Sequence, residues 1–174
     1  MDNQLDNVDV HDAVTRFIKD ATGVLTIQAY QDEARPARPY FMVNLINLYE
    51  LREHHVDMEY RESDSLNSQG QREVFAAPVI ETEWEFSIHY FGNELSAMAE
   101  FRKLRSLAKI PGPNQNLGRL ITLYDIDRRI VHVPEFINKR WEPRSNTKIS
   151  IRGYTRDEVL IDVIDKAPFN LNKD

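Results

Sequence analysis

The sequence predicts an α+β fold: a mainly antiparallel β-sheet packed by two α-helices, with a long protruding β-hairpin arm. Three observations predict it. Val79–Ala108 runs from a strand directly into a helix: Trp84, Phe86, Ile88 and Tyr90 alternate with Glu83, Glu85, Ser87 and His89, and after Phe91-Gly92-Asn93 the apolar residues recur at helical spacing. A second amphipathic stretch lies near the N-terminus. Residues 52–78 alternate in character but carry little apolar content, as an arm outside the main core would.

Taken in order, Val10, Val14, Phe17, Ile18 and Ala21 share one helical face, which predicts a helix over 9–22 capped by Asp9 and stopped by Gly23. Val24–Tyr30 reads as a short strand. Arg35-Pro36-Ala37-Arg38-Pro39 cannot be helix or central strand, because its prolines lack donors and fix φ, so a rigid extended linker is expected. Tyr40–Leu51 is apolar in both phases and predicts a central strand buried on both faces. In the arm, Val56, Met58 and Tyr60 alternate with Asp57, Glu59 and Arg61, and a polar tract at 63–71 suits a hairpin tip.

The second helix is expected over 94–108, with Ala97, Met98, Phe101, Leu104, Leu107 and Ala108 inward, and Ile110-Pro111-Gly112-Pro113 ending it. Its late Arg102, Lys103 and Arg105 oppose the negative end of the helix. Leu120–Ile126 is another strand. Thr147–Arg152 and Glu158–Ile164 read as a closing hairpin turning or bulging at Gly153, with Ile149, Ile151, Val159, Ile161 and Val163 inward.

Composition narrows the function classes. The chain has 174 residues, 41% hydrophobic and 29% charged, which suits a single domain over 1–174 with 52–78 as its arm. A chain of this size buries roughly 70% of its unfolded surface, enough for a core without staples. The net charge of −6 argues against a dedicated nucleic-acid binder, whose phosphate contacts need clustered Lys and Arg. With no cysteine there is no disulfide, thiolate nucleophile or Cys-ligated zinc, and a reducing cytosol is suited. The opening MDNQLDNVDV shows no signal peptide and no apolar run is long enough to span a membrane, so a soluble protein made inside the cell is expected.

Candidate chemistry is sparse. Glu81, Glu83 and Glu85 project from one side of a strand about 7 Å apart. That spacing could serve an acid/base pair or a cation, but no nucleophile neighbours them, so a solvated face or one turned to a channel or partner is preferred. His54-His55 with Asp57 and Glu59 resembles metal-ligand material, yet adjacent strand residues point to opposite faces. His11, His89 and His132 are scattered and read as structural. The aromatics Trp84–Tyr90 could stack bases, though packing against the second helix is the stronger reading. Arg140-Trp141-Glu142-Pro143-Arg144 fits either a sheet-edge anchor with its ring buried or an intersubunit hot spot. The dispersed glycines form no phosphate loop. No catalytic, metal or cofactor site is expected.

Three motifs in this order — Arg35-Pro36-Ala37-Arg38-Pro39-Tyr40, the Glu81–Gly92 strand ending Tyr90-Phe91-Gly92 before a helix, and Arg140-Trp141-Glu142-Pro143-Arg144 — resemble the neck, or tail-terminator, proteins of tailed bacteriophages. The resemblance spans about Val10–Ile164. The chain departs from it in Pro143, where relatives often carry a second acidic residue, and in the polar tract at 63–71. The resemblance implies a non-catalytic α+β subunit forming a homo-oligomeric ring, commonly hexameric. Such a ring caps the tail tube, ends tube polymerisation and joins the tail to the head-side connector, within the virion after assembly in the host cytoplasm. Implied partners are other copies of the chain, tail tube protein, head-side connector or neck proteins and sheath, with DNA passing through without specific binding and no membrane. On that reading Glu81, Glu83 and Glu85 are lumen or interface candidates, an acidic lumen repelling phosphate. Arg140, Trp141 and Arg144 are then interface or edge-anchor candidates, and Val56, Met58 and Tyr60 arm contacts. A head-completion protein, or a nucleic-acid-binding module using the aromatic strand, are the alternatives.

Overall fold

The computed structural model of the protein describes residues 7–30, 34–67, 70, 72–110, 117, 120–137 and 139–161. The elements are α1 (Asn7–Thr22), β1 (Leu25–Gln28), β2 (Tyr40–Glu50), β3 (Asp57–Leu66), β4 (Arg72–Phe91), α2 (Glu94–Ala108), β5 (Ile121–Ile126), β6 (Val131–His132), β7 (Glu135–Ile137), β8 (Arg140–Glu142), β9 (Arg144–Arg156) and β10 (Val159–Ile161). The architecture is α+β as expected. Eight strands form one sheet with the central path β1-β2-β4-β9-β5, antiparallel throughout except for β1 beside β2, and β7–β8 form a separate two-stranded flap.

The 20-residue strand β4 organises the molecule. Its second half lies between β2 and β9, so that Phe86 faces Leu45 on one side and Ile149 on the other. Its first half lies between β3 and β10, with Ala76 facing Tyr60 and Val159. The arm is therefore three-stranded rather than a simple hairpin.

Trp84, Phe86, Ile88 and Tyr90 are buried beneath both helices, joined by Val10, Val14, Phe17 and Ile18 of α1 and by Ala97, Phe101 and Leu104 of α2. The helical spacing of those residues makes one apolar stripe per helix, and each large side chain so buried stabilises the fold by roughly 1.5–3 kcal/mol. Phe41, Tyr90 and Phe101 meet edge to face at 5.0–6.4 Å, which orients α2. The Trp84 indole donates to Asn7 Oδ1 at 2.8 Å, satisfying the polar atom of a fully buried ring. Asn93 caps α2 by accepting from the Ser96 amide.

Several expectations are corrected. Helix α1 begins at Asn7, so Asp9 sits in its first turn rather than at the cap. Strand β2 is buried only in its first half. Beside it β1 ends at Gln28, opposite Val43, and beyond the irregularity at Ile46 the strand is a sheet edge with Leu48 half exposed. Met98 falls at the margin of the α2 stripe and is exposed.

Gly153 makes no hairpin. It lies within β9, opposite Thr82 and Ile121, where an added Cβ would stand 2.7 Å from the Leu120 carbonyl oxygen and 2.9 Å from Ile121 Cγ2. Close approach of β5 over Trp84 is its reason, not a turn. Val159 and Ile161 are exposed, because β10 leaves the core and continues along the arm. Pro111–Pro113, tip residues 68, 69 and 71, and residues 162–164 of the expected last strand lie outside the described residues.

Candidate interaction surfaces

The two faces of β4 differ in kind. The aromatic face is core: Trp84, Phe86, Ile88 and Tyr90 are at most 2% exposed, so they are closed to base stacking. Among the described residues the opposite face carries no helix, and it holds a ladder of charge pairs.

Glu81 accepts from Arg52, Glu83 from Arg152 and the Tyr49 hydroxyl, and Glu85 from Lys148 and Asn47. Register creates these groups: Glu83 sits between Tyr49 of β2 and Arg152 of β9, and Glu85 between Asn47 and Ser150. The Arg152 guanidinium also lies over the Tyr124 ring, 3.2 Å from its centroid.

Burial alone would raise the Glu83 carboxyl, but hydrogen bonds from Tyr49, Arg152 and Ser150 hold it below the usual range. Hydrogen bonds from Lys148 and Asn47 lower Glu85 as well. Tyr49 is pushed up to about 12, chiefly by its bond to Glu83 and then by burial. A general acid needs a raised carboxyl, and these are lowered, so the ladder is built to pair charges rather than move protons.

Exposure differs between the two members of each pair. The Lys148 and Arg52 side chains are 53% and 65% exposed, against 17%, 6% and 21% for Glu85, Glu83 and Glu81. Cations stand outside and carboxylates behind them.

At the far end of this face, a cavity of about 640 Å³ is walled by Leu25, Ile27, Pro36 and Met42 and headed by His89 and Arg144. The His89 ring shares a 2.8 Å hydrogen bond with the Ser87 hydroxyl, while its Nδ1 and Arg144 Nε have no partner among the described residues. Burial, reinforced by Arg144, lowers the imidazole to about 4, so it is neutral at pH 7. Sequence reasoning missed this cavity. The only signal was that His89 follows the polar phase of β4.

The second distinctive motif lies in and beside the flap. Trp141 faces Phe136 across β7–β8, their rings 5.2 Å apart, and the two are 68% and 59% exposed. Trp141 is thus not the buried edge anchor that was one of its two readings. Arg144 pairs with Glu135, and Glu142 with Arg38 at 2.6 Å, which ties the flap to the linker whose Arg38-Pro39 peptide is cis. Arg140 is exposed.

In the arm, Val56 and Tyr60 are exposed and Met58 is half-buried. His54 and His55 are exposed in the bend before β3, and among the described residues no three His, Cys, Asp or Glu side chains are grouped to hold a metal ion. No described helix is long and apolar enough to cross a membrane.

A family model described as "Phage neck terminator protein" matches residues 9–174. No curated protein matches the chain. Among solved structures, it is similar to the sheath/tube terminator of an extracellular contractile injection system (PVC) in its extended state, determined by cryo-EM. The identity is 12%, the TM-score 0.46, and the alignment covers 95% of this chain. The chain spans 65% of the length of that protein.

Proposed function

The chain belongs to the phage neck terminator protein family, which carries a structural, tail-ending role and is not a family of enzymes, and from that premise we propose that it acts as a homo-oligomeric ring closing the tail tube. The ring, hexameric on this reading, stops tube polymerisation, joins the tail to the head-side connector and lets DNA pass through its lumen. Residues 1–174 form one terminator-like domain with 52–78 as its arm. Tail tube protein is the first partner, with neck or connector proteins on the other rim and sheath alongside where the tail has one.

The family match over nearly the whole chain carries this reading. The geometry supports it through what the described residues leave open: a sheet face with none of their helices over it, an arm at one end of β4 and an aromatic flap towards the other. We keep Glu81 and Glu85 as interface candidates, their cations able to exchange intramolecular partners for a neighbour's carboxylates. Glu83 acts within the subunit, bracing β2 against β9. Repulsion of DNA is not assigned to this ladder, since each carboxylate is matched by a cation. Arg140 and Trp141 are the exposed contacts of the flap, with Arg144 holding its base.

Electron microscopy of negatively stained protein, alone and mixed with tail tubes, tests the proposal. Rings seated at tube ends, with tubes of limited length, are expected. Bare tube ends and continued tube growth in the presence of the chain would refute it.

A further inference from the structure

The register brings Met58 and Tyr60 of β3, Val74 and Ala76 of β4, and Val159 and Ile161 of β10 onto one face of the arm. It is the face that carries Trp84 and Phe86 further along β4. There the helices cover it; along the arm Tyr60 is 67% and Val159 59% exposed. The reverse face is closed by ion pairs of Arg61 with Glu158 and Arg156 with Glu59, and by Arg61 over Phe75. The arm thus has one charge-laced face and one apolar face bordered by polar residues, the pattern of an interaction surface.

Its charge indicates the occupant. Residues 52–80 hold six acidic and three basic side chains. Residues 128–144, which include the flap, hold five basic and two acidic ones. Both of those acids are engaged within the chain, Glu135 by Arg144 and Glu142 by Arg38, while Lys139 and Arg140 flank the exposed Phe136–Trp141 pair. Two of the arm's acids are likewise engaged, Glu59 by Arg156 and Glu62 by Arg72, which leaves Glu53, Asp57, Asp64 and Glu73 as its acidic excess. An apolar face thus meets an aromatic pair, and a net acidic arm a net basic flap. They cannot meet within one subunit. The arm surrounds β4 near Ala76, whereas β9, which follows the flap, begins opposite Phe91; fifteen strand residues separate those points by roughly 50 Å.

We propose that the apolar face of the arm, centred on Tyr60, seats on the Phe136–Trp141 pair of the next copy of the chain. Two different patches joined head to tail make a heterologous contact, which generates a ring when the rotation closes. This deepens the ring reading and rests on it.

The absence of cysteine from the sequence permits a clean test. Tyr60→Cys and Trp141→Cys chains are purified separately, shown to be folded by circular dichroism, and treated with a short bis-maleimide alone, mixed, and mixed on tail tubes. The pair Met58→Cys and Phe136→Cys is run in parallel, so that one ill-placed thiol does not decide the result. The expected outcome is a covalent dimer in the mixtures only, and a ladder of multimers from the Tyr60→Cys/Trp141→Cys double variant. Dimers of Tyr60→Cys with itself, cross-links from the arm to tube protein, or rings without any crossed product would each overturn this pairing while leaving the ring intact. A chain that stays monomeric with and without tubes would overturn the ring itself.

Discussion

At Gly153 a single hydrogen decides how closely β5 can lie on β9. A Cβ there meets the Leu120 carbonyl and Ile121 Cγ2 below 3.0 Å, and the nearer atom is backbone. Gly153→Ala should lower stability by about 1–3 kcal/mol, read as a reduced Tm, because overpacking at a backbone contact is relieved only by shifting a strand. His89 is the second decisive residue. Its imidazole is held neutral to about pH 4 in the folded chain, whereas the unfolded chain protonates near 6.5. Between those values the unfolded state binds more protons, so stability is full above about pH 6.5 and falls as pH drops towards 4, by up to roughly 3 kcal/mol. His89→Gln should flatten that part of the Tm–pH curve. The loss due to Glu83 and Glu85 is separate: their lowered carboxyls contribute stability above the ordinary carboxyl pKa, lost as pH falls below it.

At the scale of elements, the ladder across β2, β4 and β9 and the arm beyond it serve different ends. Glu83 is 4% exposed and links Tyr49 to Arg152 across three strands. Glu83→Gln should bring Tyr49 down from about 12 towards the ordinary tyrosine value, measured by ultraviolet titration of tyrosinate, since the bond to the carboxylate is the main cause of its shift. Loss of one partner of a buried pair should also destabilise the sheet by about 3 kcal/mol. The arm is the reverse case. Its pairing partners are β3 and β10, and most of its side chains are exposed. Replacing residues 60–74 with a two-residue turn should leave the near-ultraviolet circular dichroism unchanged and abolish assembly on tubes, because the truncated segment contributes little to the core.

For the whole molecule, function lies in what the fold leaves uncovered. Among the described residues both helices lie on one side of the sheet, over the second half of β4, and leave the other side, the arm and the flap uncovered. Trp141, 68% exposed, has little to do for the isolated subunit. Trp141→Ala should therefore change monomer stability by no more than about 0.5 kcal/mol and, if the proposed ring forms through the flap, should shift the light-scattering mass from ring towards monomer.

The α+β class, both helices and the buried face of β4 were legible in the chain itself, because period and punctuation are local properties. Trp84, Phe86, Ile88 and Tyr90 could alternate with polar residues only on a sheet with one face buried. Three motifs in order were enough to point to the family. The destination of each surface was not legible. Gly153 read as the turn or bulge of a hairpin because a close approach by β5, some thirty residues earlier in sequence, leaves no local mark. The partners of Glu81, Glu83 and Glu85 left no mark nearby, because their cations come from β9 and from Arg52, just after β2. Val159 and Ile161 read as core because nothing local says that β10 follows the arm. Cross-strand register is a property of the folded sheet, and it alone determined which charges are matched and which apolar faces remain open to a neighbour.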